Sequence, residues 1–323
     1  MRYVIYGAGA VGATIGAKLH MSGYPVTLIA RGEHLAQLQD RGLGFHDPTV
    51  SVRLELPVVA SPTELDLTDE DVVILAMKGQ DTAASVGELA AAAPVNVRVV
   101  CAQNGVENEQ MALRRFPHVY AMYVVVPADH LQPGDVRTFG VPRSGILDLG
   151  RYPAGVDDVA RAVSRDLNDA GFRSRTDETV LRAKYRKLLL NLGNAVEALL
   201  GRGADDGGLK ERAREEGHAV LAAAEIEVMS VEEDRERRSG LSTTVVDGGI
   251  GRRAGSSWQS LKRGSGAIET DYLNGEIVLL GRLHGVPTPV NALLQREANR
   301  MARTGGAPGT MSLRELFGRL EPA

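Results

Sequence analysis

Three observations predict an α/β amino-terminal domain built on a parallel sheet, followed by an all-α carboxyl-terminal domain. In residues 1–175, short apolar runs of strand type alternate with helical segments, as in a parallel sheet covered by helices on both faces. Residues 176–323 largely lose these runs and carry apolar residues at helical spacing. A length of 323 residues also suits two domains better than one. We therefore place the boundary between residues 175 and 176.

A strand, a glycine-rich turn, a helix and a second strand follow one another at the start of the chain. Residues 2–6 are a short apolar run of strand type, and residues 25–30 read as a second strand that is buried on both faces. Between them, six residues have the spacing G-x-G-x-x-G and open a helix of small residues: Gly7, Ala8, Gly9, Ala10, Val11 and Gly12. In such a Rossmann-type unit the glycines permit a tight turn and a close approach of backbone to a diphosphate, which the helix N terminus binds. The sequence therefore predicts a dinucleotide site.

The end of the second strand indicates which dinucleotide binds. An acidic residue there usually binds the ribose 2′-hydroxyl of NAD, whereas this strand ends in Arg31. A guanidinium suits a 2′-phosphate, so NADP(H) is favoured over NAD(H). Glu33 is the competing detail, because its carboxylate would reverse the preference if it faced the ribose instead of Arg31.

The elements that follow continue the alternation to residue 175. Helices are expected over 33–41, 81–93 and 156–170, and strands over 51–59, 71–78, 97–102, 119–126, 136–150 and 172–175. Lys78 is the charge at the carboxyl end of the strand at 71–78, and Asn104 follows the strand at 97–102. Because ligands of open α/β sheets bind outside the carboxyl ends of the strands, both side chains are candidate cofactor contacts. A solvated lysine and an ordinary Asn-Gly turn are the alternatives.

The second domain opens with a helix that carries both an apolar and a polar stripe. Its leucines recur at helical spacing, while Lys187, Asn191 and Asn194 fall at i, i+4 and i+7, so that they share one face at ~100° per residue. Lys184 lies at the edge of the same stripe. Residues 232–238 are dense in charges of both signs and read as a solvated helical face.

Composition excludes several classes of partner. The net charge of −4 gives no reason to expect nucleic acid or an anionic membrane surface as a partner. No apolar run approaches the ~20 residues of a membrane span, and the glycines of the first turn argue against a signal peptide. The single cysteine, Cys101, fits a reducing compartment, and we expect a cytoplasmic protein. No cluster of metal ligands is predicted.

Six motifs in the same order along the whole chain resemble the ketopantoate reductase (2-dehydropantoate 2-reductase) family. They are GAGAVG with the following Arg31, MKGQ with Lys78, QNG with Asn104, RKLLLN with Lys187 and Asn191, SSWQSL with Ser257, and ETDYLNG with Glu269. The resemblance implies NADPH-dependent reduction of 2-dehydropantoate (ketopantoate) to pantoate, a step of pantothenate biosynthesis, and a homodimer formed through the helical domain.

The resemblance also implies a role for each residue of this set. Lys187 would be the general acid, with Glu269 beside it and holding a substrate hydroxyl. Asn191 and Ser257 would bind the substrate, and Lys78 and Asn104 would line the cofactor and substrate side. Asn194, which shares the polar stripe with Lys187 and Asn191, is a further candidate for substrate binding. The chemistry agrees, because hydride transfer to a ketone leaves an alkoxide that needs a proton or a positive donor. An ordinary ion pair between Lys187 and Glu269 that ties two helices together is the structural alternative.

The chain departs from the family pattern at two positions. The family continues as K-x-x-x-N-x-x-x-N-P, whereas here Ala195 stands at the second asparagine and Asn194 comes one residue early; Gln103 also replaces a frequent histidine. Alanine cannot hydrogen-bond a substrate, so a related enzyme acting on another small carbonyl compound is the second hypothesis. A third is a sensor protein that binds NADPH without catalysis.

Overall fold

The computed structural model describes residues 1–244, 255–264 and 266–320. The chain divides into two compact units. The first comprises the described parts of Met1–Lys184 and Val231–Arg252, and the second those of Tyr185–Ser230 and Arg253–Ala323.

All the strands that the described residues contain lie in the first unit. They are β1 (Tyr3–Tyr6), β2 (Val26–Ile29), β3 (Leu43–His46), β4 (Ser51–Leu54), β5 (Val58–Val59), β6 (Val72–Leu75), β7 (Arg98–Cys101), β8 (Val119–Val125), β9 (Ala128–Asp129), β10 (Asp135–Thr138), β11 (Gly140–Val141), β12 (Ile146–Arg151) and β13 (Ser242–Thr243).

Helices lie in both units. They are α1 (Ala10–Met21), α2 (Gly32–Arg41), α3 (Gly79–Ala92), α4 (Asn108–Leu113), α5 (Asp158–Asp169), α6 (Val180–Asn191), α7 (Gly193–Leu200), α8 (Leu209–Ala223), α9 (Val231–Arg238), α10 (Ser256–Lys262), α11 (Asn274–His284), α12 (Pro289–Arg303) and α13 (Leu313–Phe317). Short 3₁₀ turns span Pro62–Glu64 and Glu269–Tyr272. The division between the units falls inside α6, after Lys184.

A mostly parallel sheet forms the centre of the first unit. Within residues 1–244, seven strands pair in the order β12-β8-β7-β6-β1-β2-β5, and only β12 runs antiparallel to its neighbour. Every residue of β1, β2 and β6 is buried, which explains their continuous apolar sequences. A second sheet of the same residues has the order β4-β3-β10-β9.

Alternate side chains of the central strands enter two separate cores. Tyr3 and Ile5 of β1 pack in one core with Ile15 of α1, whereas Val4 and Tyr6 pack in the other with residues of α3 and α4. Successive side chains of a strand point to opposite faces, so a strand buried on both faces feeds both cores. The predicted α/β class of this region is confirmed.

Most predicted elements of the first unit are present, and three differ. The expected strand over 51–59 is two strands in different sheets, because Pro57, just before β5, has no N–H to donate to a ladder. The expected strand over 172–175 makes only isolated bridges to β12, at Arg173 and Thr176. Residues 136–150 contain parts of β10 and β12, with β11 between them.

The compact units do not follow the predicted boundary between residues 175 and 176, because α9 and β13 belong to the first unit. Arg237 Nη2 lies 2.5 Å from Asp148 Oδ1 on β12, and the two side chains are 9% and 3% exposed. Arg238 Nε donates to Tyr123 Oη of β8 at 2.9 Å. The charges of α9 therefore stabilise its contact with the sheet, where the sequence suggested a solvated face.

The second unit is helical throughout its described residues, as predicted for the carboxyl-terminal region. Helices α7, α8, α11 and α12 pack against one another, and α10 packs on α7. Their shared core includes Leu199, Val220, Ile277 and Leu294, each almost fully buried. Across the part of the chain that the structure describes, no helix is long and apolar enough to cross a membrane.

Candidate active site

The glycine-rich turn after β1 is held by close backbone contacts at its two ends. Gly7 has φ +102°, and a Cβ there would lie 2.5 Å from the backbone nitrogen of Met77. A Cβ on Gly12 would lie 2.2 Å from the carbonyl oxygen of Gly7. Real Cβ atoms do not approach backbone so closely, so α1 can begin directly against the end of β1 only because both residues are glycine.

Gly9, between those two positions, faces open space. A Cβ built on it would meet nothing within 4 Å. It is the N-cap residue of α1, and no side chain caps the helix. Because the first amides of a helix have no intrahelical partner, they are available to an anion. This open, uncapped turn therefore fits the diphosphate of a dinucleotide.

Lys78 and Asn104 lie at the same edge of the sheet as this turn. They follow β6 and β7, which run parallel to β1 and lie beside it in the order β7-β6-β1. Lys78 is the half-buried N-cap residue of α3. Asn104 is half-buried, and its carbonyl accepts a hydrogen bond from Asn108 Nδ2 at 2.9 Å. The sequence argument about strand ends correctly predicted this shared edge.

A histidine that the sequence argument did not consider binds the glycine-rich turn from α2. His34 Nε2 lies 2.7 Å from the carbonyl oxygen of Ala8, and its Nδ1 accepts from the backbone N–H of Gly134 at 2.9 Å. Because Nδ1 accepts, the ring is neutral and donates through Nε2. Burial lowers the pKa of His34 and favours this neutral form.

Arg31 does not lie free at the end of β2. Its Nη2 atom is 3.0 Å from Asp81 Oδ2 in the first turn of α3, while the Arg31 side chain remains 80% exposed. The competing carboxylate considered from the sequence, that of Glu33, lies exposed in the first turn of α2. The carboxylate that pairs with Arg31 is therefore Asp81, from a different part of the chain.

A buried ion pair lies beneath the turn that carries Asn104. Lys184 of α6 pairs with the fully buried carboxylate of Glu109 on α4, and its Nζ donates to the main-chain oxygen of Gln103 at 3.1 Å. Burial raises the pKa of Glu109, and the charge of Lys184 opposes that shift. The sequence showed Lys184 only as a residue at the edge of a polar stripe.

The side chain of Gln103 continues this network. Its Nε2 donates to Thr82 Oγ1 at 2.7 Å, and that hydroxyl donates to Asn108 Oδ1 at 2.8 Å. Gln103, Thr82 and Asn108 are all buried. The glutamine that replaces the family's frequent histidine thus holds the start of α3 and α4 together, which explains how the turn tolerates it.

In the second unit, the helix that the sequence predicted as continuous is interrupted. Helix α6 ends at Asn191, α7 begins at Gly193, and the carbonyl of Leu192 between them accepts from Asn274 Nδ2 at 3.2 Å. Asn191 Nδ2 is buried and has no hydrogen-bond partner among the described residues. A buried donor without a partner is costly, so this atom is a natural contact for a ligand.

Two other predicted substrate contacts lie close together at the start of α10. A Cβ built on Gly255 would lie 3.0 Å from Asn194 Oδ1, so the Asn194 side chain faces the residue that precedes α10. Ser257, two residues further on, is 2% exposed. Ala195 is 1% exposed. Asn194 and Ser257 therefore lie in one part of the second unit, and their roles in substrate binding stay a prediction.

Neither of the two residues to which the resemblance assigns the proton chemistry is fully exposed to solvent. Lys187 is half-buried on α6, and Glu269 is 4% exposed in the 3₁₀ turn Glu269–Tyr272. Both have polar interactions in the structure. Their assigned roles as acid and partner stay a prediction. Among the described residues no group of side chains is arranged to hold a metal ion.

The fold and the glycine-rich turn define a dinucleotide-binding α/β protein, and comparison with known proteins gives the family. The model of ketopantoate reductase PanE/ApbA matches residues 3–154, and that of its C-terminal part matches residues 179–302. The chain belongs to the ketopantoate reductase family, and it is an oxidoreductase. The predicted cofactor, NADP(H), is the one that this family uses.

Individual relatives are similar over almost their whole length. A 2-dehydropantoate 2-reductase of Halobacterium salinarum is 29% identical over 90% of this chain and 95% of its own, and one of Pyrococcus horikoshii is 26% identical over 95% and 99%. Among solved structures, a PanE/ApbA family ketopantoate reductase from Ralstonia eutropha is 27% identical with a TM-score of 0.79 over 94% of this chain and 99% of its own. D-mandelate dehydrogenase with NADH and anilino(oxo)acetate is 26% identical with a TM-score of 0.81 over the same shares.

Gly9→Ala and Gly12→Ala should separate nucleotide binding from folding. The added methyl at Gly9 meets no protein atom, so we expect the free energy of unfolding to change by less than about 1 kcal/mol. The same methyl stands where a diphosphate must approach, so NADPH affinity should fall by more than about tenfold. Gly12→Ala should instead destabilise the fold by about 1–3 kcal/mol or more. Urea unfolding measures the stability of both variants, and titration measures their affinity for NADPH. Unchanged NADPH affinity in Gly9→Ala would contradict the diphosphate site.

Lys184→Met should strongly destabilise the first unit, because it leaves the Glu109 carboxylate buried without its cation. We expect a loss of about 3–5 kcal/mol in the free energy of unfolding. The double variant Lys184→Met/Glu109→Gln should recover most of this loss, since the uncompensated charge is gone. Urea unfolding measures both, with Arg161→Met, which breaks an exposed pair with Asp158, as the control that shows no measurable shift. A double variant as unstable as the single one would contradict the charge argument.

Proposed function

We propose that the protein catalyses the NADPH-dependent reduction of a 2-keto acid to the 2-hydroxy acid, with 2-dehydropantoate, reduced to pantoate for pantothenate biosynthesis, as the first candidate substrate. The observation that carries this proposal is the open, uncapped turn at Gly9 between the close-packed Gly7 and Gly12. Its support is the family to which the chain belongs and the names of its relatives.

Several residues of the first unit would hold the cofactor. The amides from Gly9 to Gly12 would bind the diphosphate, and Arg31 would bind the 2′-phosphate. Lys78 and Asn104, at the ends of β6 and β7, would contact the part of the cofactor that lies along the sheet edge. When bound, NADPH supplies the hydride for the keto carbon. The similar structure of D-mandelate dehydrogenase contains NADH, so binding and turnover should be measured with NADH as well as with NADPH.

Lys187 would donate a proton from Nζ to the 2-oxygen of the substrate. As hydride reaches the keto carbon, negative charge develops on this oxygen, and an ammonium both stabilises that charge and supplies the proton. Partial burial shifts the pKa of a lysine downward, and a carboxylate such as that of Glu269 favours the charged form. We propose that Glu269 keeps Lys187 protonated and accepts a hydrogen bond from a substrate hydroxyl.

Asn191, Asn194 and Ser257 would bind the carboxylate and the side chain of the substrate. The support is the buried Nδ2 of Asn191, which has no partner in the described part of the chain and can donate to a carboxylate oxygen, and the shared location of Asn194 and Ser257. A neutral amide and a hydroxyl orient an acid without competing for the catalytic proton.

A second candidate substrate is a 2-keto acid with a larger or aromatic side chain. Ala195 replaces the amide that the family pattern has for its substrate, and the D-mandelate dehydrogenase structure is as similar to this chain as the ketopantoate reductase structures are. A site that lacks a hydrogen-bonding group no longer discriminates strongly for the hydroxylated substrate.

We further propose that the protein acts in the cytoplasm as a homodimer. The support for the compartment is the single cysteine, Cys101, which is free and buried, and whose pKa burial raises. The support for the dimer is family membership. Analytical ultracentrifugation of the purified chain measures the assembly directly.

Lys187→Ala should abolish turnover while leaving nucleotide binding intact. With saturating NADPH and a panel of 2-keto acids, we expect kcat to fall by about 10²-fold or more for the best substrate. The control Lys262→Ala removes an exposed lysine and should keep full activity. No turnover of any keto acid by the unaltered protein, with NADPH still bound, would favour a nucleotide-binding sensor and reject the enzymatic proposal.

Ala195→Asn should distinguish the two candidate substrates. The aromatic candidate is represented by phenylglyoxylate, a 2-keto acid with a phenyl side chain. If the missing amide limits the use of ketopantoate, kcat/KM of the variant for ketopantoate should rise by about tenfold or more relative to that for phenylglyoxylate. Ala195→Leu adds comparable volume at this buried position without a hydrogen-bonding group, so it should give no such gain. Equal changes for both substrates in both variants would show that residue 195 does not select the substrate.

A further inference from the structure

The pairing of Arg31 with Asp81 bears on the choice between NADPH and NADH. Arg31 is the N-cap residue of α2 at the end of β2, and Asp81 lies in the first turn of α3. Their closest atoms, Arg31 Nη2 and Asp81 Oδ2, are 3.0 Å apart, and Asp81 remains 28% exposed. Both side chains therefore meet solvent, where a nucleotide phosphate can reach the guanidinium.

A second carboxylate of α3, that of Glu88, follows Asp81 by seven residues and so lies on the same face of the helix. Glu88 Oε2 accepts from Tyr6 Oη at 2.6 Å, and burial with this hydrogen bond raises the pKa of Tyr6 to about 12. The charge of Arg31 acts on Tyr6 in the opposite direction. Asp81 is thus the carboxylate of α3 that contacts Arg31 directly.

We propose that Asp81 is a specificity-determining residue that restrains the preference for NADPH by competing with the 2′-phosphate for Arg31. This inference rests on the proposed use of NADPH. A phosphate that accepts hydrogen bonds of about 2.8 Å from the remaining N–H groups of Arg31 lies within roughly 8 Å of the Asp81 carboxylate, because a guanidinium is small. The two anions then repel each other at the same cation.

The expected size of this effect follows from Coulomb's law. A phosphate monoester carries about −1.5 to −2 charges at neutral pH, and in water a carboxylate at such a distance weakens its binding by about fivefold. NADH has a neutral hydroxyl in place of the 2′-phosphate. A carboxylate accepts a hydrogen bond from this hydroxyl and does not repel it. Asp81 therefore weakens the binding of NADPH and does not weaken the binding of NADH.

The test measures dissociation constants of NADPH and NADH by titration without substrate, so that it does not depend on turnover. Asp81→Asn should tighten the binding of NADPH by about fivefold and leave the binding of NADH unchanged or weaker. The gain for NADPH should shrink at high salt because exposed charges are screened. Arg31→Ala should weaken NADPH much more than NADH. Asp158→Asn, which removes an exposed carboxylate of α5, is the control for net charge and should change neither constant.

Three outcomes overturn the inference. Weaker NADPH binding in Asp81→Asn would show that the carboxylate positions Arg31 for the phosphate, and an unchanged ratio of the two constants would show that Asp81 does not take part in the choice. Equal effects in Asp158→Asn would assign the change to net charge. NADPH binding without turnover of any keto acid rejects the proposed reaction but leaves this inference standing, so the two failures are distinguishable.

Discussion

The close approach of α1 to the end of β1 is the constraint on which the first unit depends. With the carbonyl oxygen of Gly7 only 2.2 Å from where a Cβ of residue 12 would lie, a larger residue would push the helix away from the sheet. The helix would then no longer begin at the sheet edge, and its free amides would move away from the ends of β6 and β7. The same contact that allows α1 to pack on the central strand therefore creates the anion site.

Two sets of polar contacts hold this edge from inside the protein. His34 binds the glycine-rich turn from α2, and the pair of Lys184 and Glu109 binds the turn after β7 from below. Buried charges are costly unless they are paired, so such a pair fixes one arrangement of the elements that carry it. The residues that would touch the cofactor thus lie on turns whose shape is set by residues that would not touch it.

The sequence predicted the features that depend on local pattern and missed those that depend on tertiary pairing. Continuous apolar runs predicted β6, β7 and β8, and the glycine spacing predicted the turn. The position of Lys78 and Asn104 at the ends of parallel strands predicted that they lie at one edge of the sheet. The partner of Arg31 was not predictable, because Asp81 meets it only once β2 and β6 lie near each other in the sheet. For the same reason the sequence showed Lys184 only at the edge of a polar stripe, and it suggested a solvated face for the charges of α9. The interruption at Leu192 had no local signal, since its carbonyl is bound by the distant Asn274.

The chemistry assigned to the chain requires that a nucleotide bound at the amino-terminal turn meets the ammonium of Lys187 during the reaction. A crystal structure of the protein with NADP⁺ and a 2-hydroxy acid tests this most directly. We expect the diphosphate on the amides from Gly9 to Gly12 and Lys187 Nζ within hydrogen-bond distance of the 2-oxygen. A diphosphate bound elsewhere, or a Lys187 side chain directed away from the substrate oxygen, would contradict the assignment.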